Sequence, residues 1–81
     1  MTVLVLYGKP GCHLCEEARE AIESLRAERP FQVREVDVSL DPELHRRYGE
    51  RIPVVELEGE ELFEFHVDLP VLRERLDTVG S

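Results

Sequence analysis

The sequence predicts an α/β fold of order β-α-β-α-β-β-α, with a four-stranded mixed sheet flanked by helices. Three observations carry this. An almost unbroken apolar and β-branched run from Thr2 to Tyr7 meets a Gly/Pro-rich break and then an amphipathic stripe, which is a strand feeding a helix. A second strand–helix pair begins at Phe31. Two short apolar runs then flank Glu58-Gly59-Glu60, the signature of a hairpin. A chain of 81 residues is expected to form one small domain, 1–81, with a single modest core.

Each element has its own reason. Thr2 to Tyr7 reads as a strand buried on both faces, and Gly8 to Gly11 end it. Leu14, Ala18, Ala21, Ile22 and Leu25 fall on one helical stripe, charged residues cover the rest, and Pro30 stops the helix. Phe31 to Val38 is the second strand, with Phe31, Val33, Val36 and Val38 as apolar members. Its alternation slips between Val33 and Val36, which predicts either a bulge or burial on two sides. Asp41-Pro42-Glu43 supplies a capping carboxylate, a proline at the first helical position and an acid in the first turn of a short helix ending near Gly49. Pro53 to Leu57 and Glu61 to Phe65 form the hairpin. Asp68 caps a last helix that turns Leu69, Leu72 and Leu76 inward, with Pro70 tolerated in its first turn. The first β-α-β requires parallel strands joined by a right-handed crossover, whereas the hairpin is antiparallel.

Composition narrows the function. A net charge of −8 and a pI near 4.8 argue against nucleic-acid partners and against docking on anionic lipid. The opening run is too short, and too soon followed by Gly-Lys-Pro-Gly, for a signal peptide or membrane span. The expected location is therefore the cytoplasm, where thiols stay reduced and a close cysteine pair is catalytic or metal-binding rather than a structural staple.

Cys12 and Cys15 are the two cysteines of the chain, in Tyr7-Gly-Lys-Pro-Gly-Cys12-His-Leu-Cys15. A Cys-x-x-Cys where a strand meets a helix puts one thiol at the helix N-terminus, whose free N–H groups and dipole favour thiolate. The second lies one turn along, within reach of a disulfide. Cys12 is the expected nucleophile and Cys15 the residue that resolves its mixed disulfide. Lys9, the single lysine, reads either as a solvated loop cation or as a cation acting on the thiol or a partner carboxylate. His13 reads either as a thiolate-stabilising neighbour or as a solvent-facing residue. Tyr7 belongs either to the core or to the lining of the thiol site. His45 and His66 are isolated from the cysteines, and no metal site is expected.

Lys9-Pro-Gly-Cys12-His-Leu-Cys15, Ile52-Pro53 before the third strand and the element order together resemble a glutaredoxin-like protein of the thioredoxin-fold superfamily, in its Cys-His-Leu-Cys group. The resemblance covers essentially the whole chain. It implies a thiol–disulfide oxidoreductase acting on a disulfide-containing protein or a glutathione mixed disulfide, re-reduced by a cellular dithiol or glutathione, and working as a monomer. It also implies that the Ile52-Pro53 bond is cis, that Pro53 faces the cysteines, and that the Ile52 backbone pairs with a bound peptide or glutathione. Local physics alone favours a trans proline at a strand's first residue, so the cis expectation rests on the resemblance. The likeness thins at the glutathione site. The Gly-Gly turn of glutathione-using glutaredoxins is replaced by Phe65-His66-Val67-Asp68, and Arg51 stands where they have a threonine.

Two other classes compete with the enzyme. One is a partner-binding module with the cysteines as a redox latch. The other is an iron–sulfur or zinc carrier, which needs a dimer or outside thiols because two cysteines do not close a four-thiolate site.

Overall fold

The computed structural model describes residues 2–80. Strand β1 spans Val3–Gly8, and helix α1 (His13–Glu28) starts five residues later. Strand β2 (Gln32–Asp37) runs into a 3₁₀ turn, Val38–Leu40, and then helix α2, Pro42–Tyr48. Strands β3 (Val54–Leu57) and β4 (Glu60–Glu64) form the hairpin, and helix α3 (Leu69–Gly80) closes the order. The sheet runs β2-β1-β3-β4, with β1 parallel to β2 and antiparallel to β3, and β3 antiparallel to β4. This is the predicted β-α-β-α-β-β-α fold.

Alternation along the strands sorts the core onto two faces. On one, Leu4 and Leu6 of β1 and Val55 and Leu57 of β3 meet Ala18, Ile22 and Leu25 of α1 and Leu72 and Leu76 of α3. On the other, Val54 packs with Val38, Tyr48 and Ile52, and Tyr7 and Leu44 close around them. Cys15, at the head of α1, reaches this second cluster, so the thiol site sits where the two packing layers meet at the end of β1.

The structure corrects three sequence expectations and decides between the two alternatives left for β2. β1 is fully buried only toward α1 and α3; Val3, Val5 and Tyr7 are half-buried, because the seven-residue α2 covers part of their face. β2 keeps an unbroken register with β1, which places Val33 level with Leu4 and Val36 level with Tyr7 on opposite faces. The two-sided alternative holds there, and the bulge lies elsewhere. Glu56 pairs with Glu61 and Val55 with Phe63, so Leu62 is the extra residue, and both Leu62 and Phe63 pack on the α1/α3 core. Val38, expected in the second strand, is buried in the 3₁₀ turn after it. The buried stripe of α1 is Cys15, Ala18, Ile22 and Leu25, with Leu14 and Ala21 half-buried at its side, so a cysteine opens the core face in place of Leu14.

The local signals behave as their chemistry requires. Asp41 Oδ1 accepts the N–H groups of Glu43 at 2.8 Å and Leu44 at 3.4 Å, capping α2. Asp68 Oδ1 accepts the Val71 N–H at 3.3 Å at the head of α3. Glu58 and Gly59 have φ of 51° and 84°, the doubly positive pair that a two-residue hairpin turn demands, with Leu57 and Glu60 paired across it. Among the described residues, no helix is long and apolar enough to cross a membrane.

Candidate active site at the start of α1

The Gly/Pro loop after β1 delivers Cys12 as the N-cap of α1, with extended backbone (φ −89°, ψ 113°). Its sulfur accepts the Cys15 N–H at 3.3 Å, and its carbonyl accepts the Glu16 N–H at 3.2 Å. A side chain that caps a helix supplies an acceptor for an N–H that has no partner within the helix. Cys12 performs that task with sulfur, while part of it stays open to solvent.

Cys15 has the opposite surroundings. It is 3 % exposed, and a Cβ on Gly8 would lie 2.9 Å from its sulfur, so a side chain at residue 8 would displace the thiol. Both thiols are free. Burial pushes the Cys15 thiol up to about 11, and its hydrogen bond to the Cys12 sulfur pushes the same way. The Lys9 backbone and the Arg19 charge pull against that rise. Lys9 thus reaches the thiol through its main chain, and its side chain is exposed. His13, the first residue of α1, is exposed.

The Ile52-Pro53 peptide bond is cis. Pro53 is buried, and Ile52 packs in the same cluster as Cys15. Tyr7 belongs to that cluster too, stacked on Tyr48 with ring centroids 4.3 Å apart and planes 17° from parallel. Burial, followed by the nearby Glu56 charge, pushes the Tyr7 phenol up to about 12, so it stays protonated through the neutral range. The structure thus gathers Cys12, Cys15, Tyr7 and Ile52 into one cluster, leaves Lys9 and His13 on its exposed rim, and keeps His45 and His66 exposed and outside it.

Sequence reasoning passed over Tyr48 and gave Arg51 no role. The Arg51 guanidinium bonds Glu61 (3.0 and 3.2 Å), Glu64 (3.2 Å) and the Arg47 carbonyl (3.3 and 3.2 Å), and it lies 5.3 Å from the Tyr48 ring centroid. Arg47 lies over the same ring, also at 5.3 Å. The available signal was the placing of arginines one residue before and three after a tyrosine, directly ahead of Ile-Pro.

Residues 3–77 match the family model described as Glutaredoxin-like domain (DUF836). The chain belongs to that family. The uncharacterized protein Rv0508 of Mycobacterium tuberculosis is 33% identical over 83 residues, which span 94% of this glutaredoxin-like domain and 86% of that protein. Among solved structures, protein Ne2328 from Nitrosomonas europaea superposes with a TM-score of 0.79 at 32% identity, covering 91% of this chain and 89% of that one. Protein XcR50 from X. campestris gives 0.77 at 37% identity, covering 93% and 96%. A mutant thioredoxin from Halobacterium salinarum gives 0.72 at 24% identity, covering 99% of this chain and 75% of that one, which shows the shared thioredoxin fold alone. The chain is therefore a glutaredoxin-like domain by family, and its architecture is the thioredoxin fold.

Proposed function

We propose that this glutaredoxin-like domain is a dithiol thiol–disulfide oxidoreductase. The observation that supports the reading is the division of labour between two sulfurs one helical turn apart. Cys12 is partly open at the helix N-cap and accepts the Cys15 backbone N–H at 3.3 Å, and Cys15 is buried behind it. Cys12 thiolate attacks one sulfur of a substrate disulfide, forming a mixed disulfide and releasing the other sulfur as thiolate. Cys15, once deprotonated, attacks the Cys12 sulfur and expels the second substrate thiolate. Two electrons pass to the substrate, and the domain is left with a Cys12–Cys15 disulfide that an external dithiol or glutathione returns to two thiols. The substrate is a disulfide-containing protein or a glutathione mixed disulfide, met over the cis Ile52-Pro53 segment.

The test is a pair of serine variants with mass-spectrometric readout. Cys12→Ser reduces disulfides no faster than the uncatalysed rate. Cys15→Ser still forms the mixed disulfide on Cys12 and accumulates it with one equivalent of substrate thiol. A Cys15→Ser protein that traps nothing, or a wild-type pair that does not oxidise and re-reduce reversibly, overturns the mechanism.

A further inference from the structure

Cys15 packs in the core cluster with Cys12, Tyr7, Tyr48 and Ile52, and it has a second side. There it lines a cleft of about 430 Å³ between the loop after β1, the first turns of α1 and the end of β2. At about 30 Å³ of liquid volume per molecule, that space holds several waters. The resolving thiol is therefore shut off by protein on the Cys12 side and borders water on the β2 side.

Charged groups enter this cleft from three elements: Lys9 from the loop, Glu16 and Arg19 from α1, and Glu35 and Asp37 from β2. The Tyr7 and Tyr48 phenols and the Cys12 sulfur share the core cluster on the other side. The Lys9 side chain is exposed, and the Asp37 carboxylate is engaged by the Ser39 N–H at 2.9 Å. Arg19 stands apart from these. It follows Cys15 by four residues, and helical side chains lean toward the N-terminus, so each covers the turn before its own. Arg19 thus lies over the turn that holds Cys15, and its Nε donates to Glu35 Oε1, tying α1 to β2 beside the thiol. Burial raises the Cys15 thiol and the Cys12 sulfur acts the same way, while the Lys9 backbone and the Arg19 charge lower it.

We infer that Arg19 is a positioning residue for the resolving step: its charge, held beside Cys15 by Glu35, stabilises the thiolate as it forms, and water in the cleft takes the proton. The inference rests on the dithiol reading and names what tunes its second step. In that step the Cys15 S–H bond breaks and the proton passes to cleft water and then to solvent. The freed electron pair bonds to the Cys12 sulfur, and the substrate sulfur leaves as thiolate. Glu35 works against Arg19, because its carboxylate offsets the cation. The two halves of one ion pair therefore act on the rate with opposite sign, whereas a purely structural clasp weakens the same way from either end.

Dithiodipyridine forms the Cys12 mixed disulfide at acid pH, where Cys15 stays protonated, and a stopped-flow jump to neutral pH starts resolution. Release of the second thiopyridone gives the rate in wild type, Arg19→Gln, Arg19→Lys and Glu35→Gln. At about 0.01 M salt, Arg19→Gln resolves about twofold slower and Glu35→Gln about twofold faster, the scale set by one exposed charge. Arg19→Lys keeps the wild-type rate, because a point charge is enough. The four rates converge at about 1 M salt, since both side chains of the pair are half-exposed and screened. Rates that no variant moves, or that move the same way in Arg19→Gln and Glu35→Gln, overturn the inference and leave the dithiol reading intact. So does an Arg19→Lys rate that follows Arg19→Gln, or a difference that survives the high salt. A wild-type mixed disulfide that never releases the second thiopyridone overturns both.

Discussion

Cys12 and Cys15 occupy one helical turn and differ in their solvent. The Cys12 sulfur is partly open to solvent, whereas the Cys15 thiol sits 3 % exposed against Gly8 and is pushed up to about 11, chiefly by burial. Forming a mixed disulfide on Cys12 removes the hydrogen bond and charge of that neighbour but leaves the burial in place. Resolution therefore depends on a small thiolate fraction at neutral pH. With the mixed disulfide preformed, its rate rises about tenfold per pH unit between pH 6 and 9, because thiolate is the attacking species. Stopped-flow release of the second substrate thiol measures this, and a rate that levels off below pH 8 contradicts it. The pair itself was legible from its spacing and position. What Gly8 does was not legible, because its effect depends on the approach of Cys15, seven residues away around the loop.

At the scale of elements, Arg51 connects three pieces that sequence separates. Its backbone N–H bonds the Tyr48 carbonyl at 2.8 Å, and its side chain reaches the Arg47 carbonyl at the end of α2 and Glu61 and Glu64 on β4. Those contacts flank Ile52-Pro53, so Arg51 positions the cis segment whose Ile52 packs in the Cys15 cluster. Isolated exposed ion pairs contribute little, but a forked guanidinium holding two carboxylates and a carbonyl fixes geometry as well as charge. Arg51→Ala is expected to speed hydrogen exchange at the Phe65 amide, which is bonded to the Pro53 carbonyl, with little change in melting temperature. Arg51→Lys behaves like the alanine variant, since an ammonium lacks the fork. Unchanged exchange in both variants shows that the clamp holds nothing in place. The elements themselves were readable where one period dominated, as along Ala18, Ile22 and Leu25. They were misread where tertiary cover decided, as at β1 under the short α2 and at the Leu62 bulge. There the adjacent Leu62 and Phe63 were the local sign of broken alternation. Arg51 joins residues 10 and 13 positions away across a turn and a strand, which no local pattern encodes.

At the scale of the whole molecule, charge becomes a property of the fold. The chain measures 36 × 22 × 17 Å and carries a net charge of −8, distributed over exposed side chains. The screening length is about 30 Å at 0.01 M salt and about 3 Å at 1 M. An approaching disulfide therefore feels nearly the entire molecule at low salt, and little beyond the residues it touches at high salt. The acidic field attracts cationic substrates and repels anionic ones before contact is made. The second-order rate of attack by Cys12 is thus expected to fall with rising salt for a lysine-flanked peptide disulfide. It should stay nearly level for a neutral disulfide and rise for oxidised glutathione. Stopped-flow rates for the three substrates across that salt range provide the measurement. Parallel salt responses place the acidic surface outside the encounter and confine its effect to solubility. Divergent responses make the net charge part of substrate choice, acting at a distance on the same partners that the residues around Cys12 select at contact.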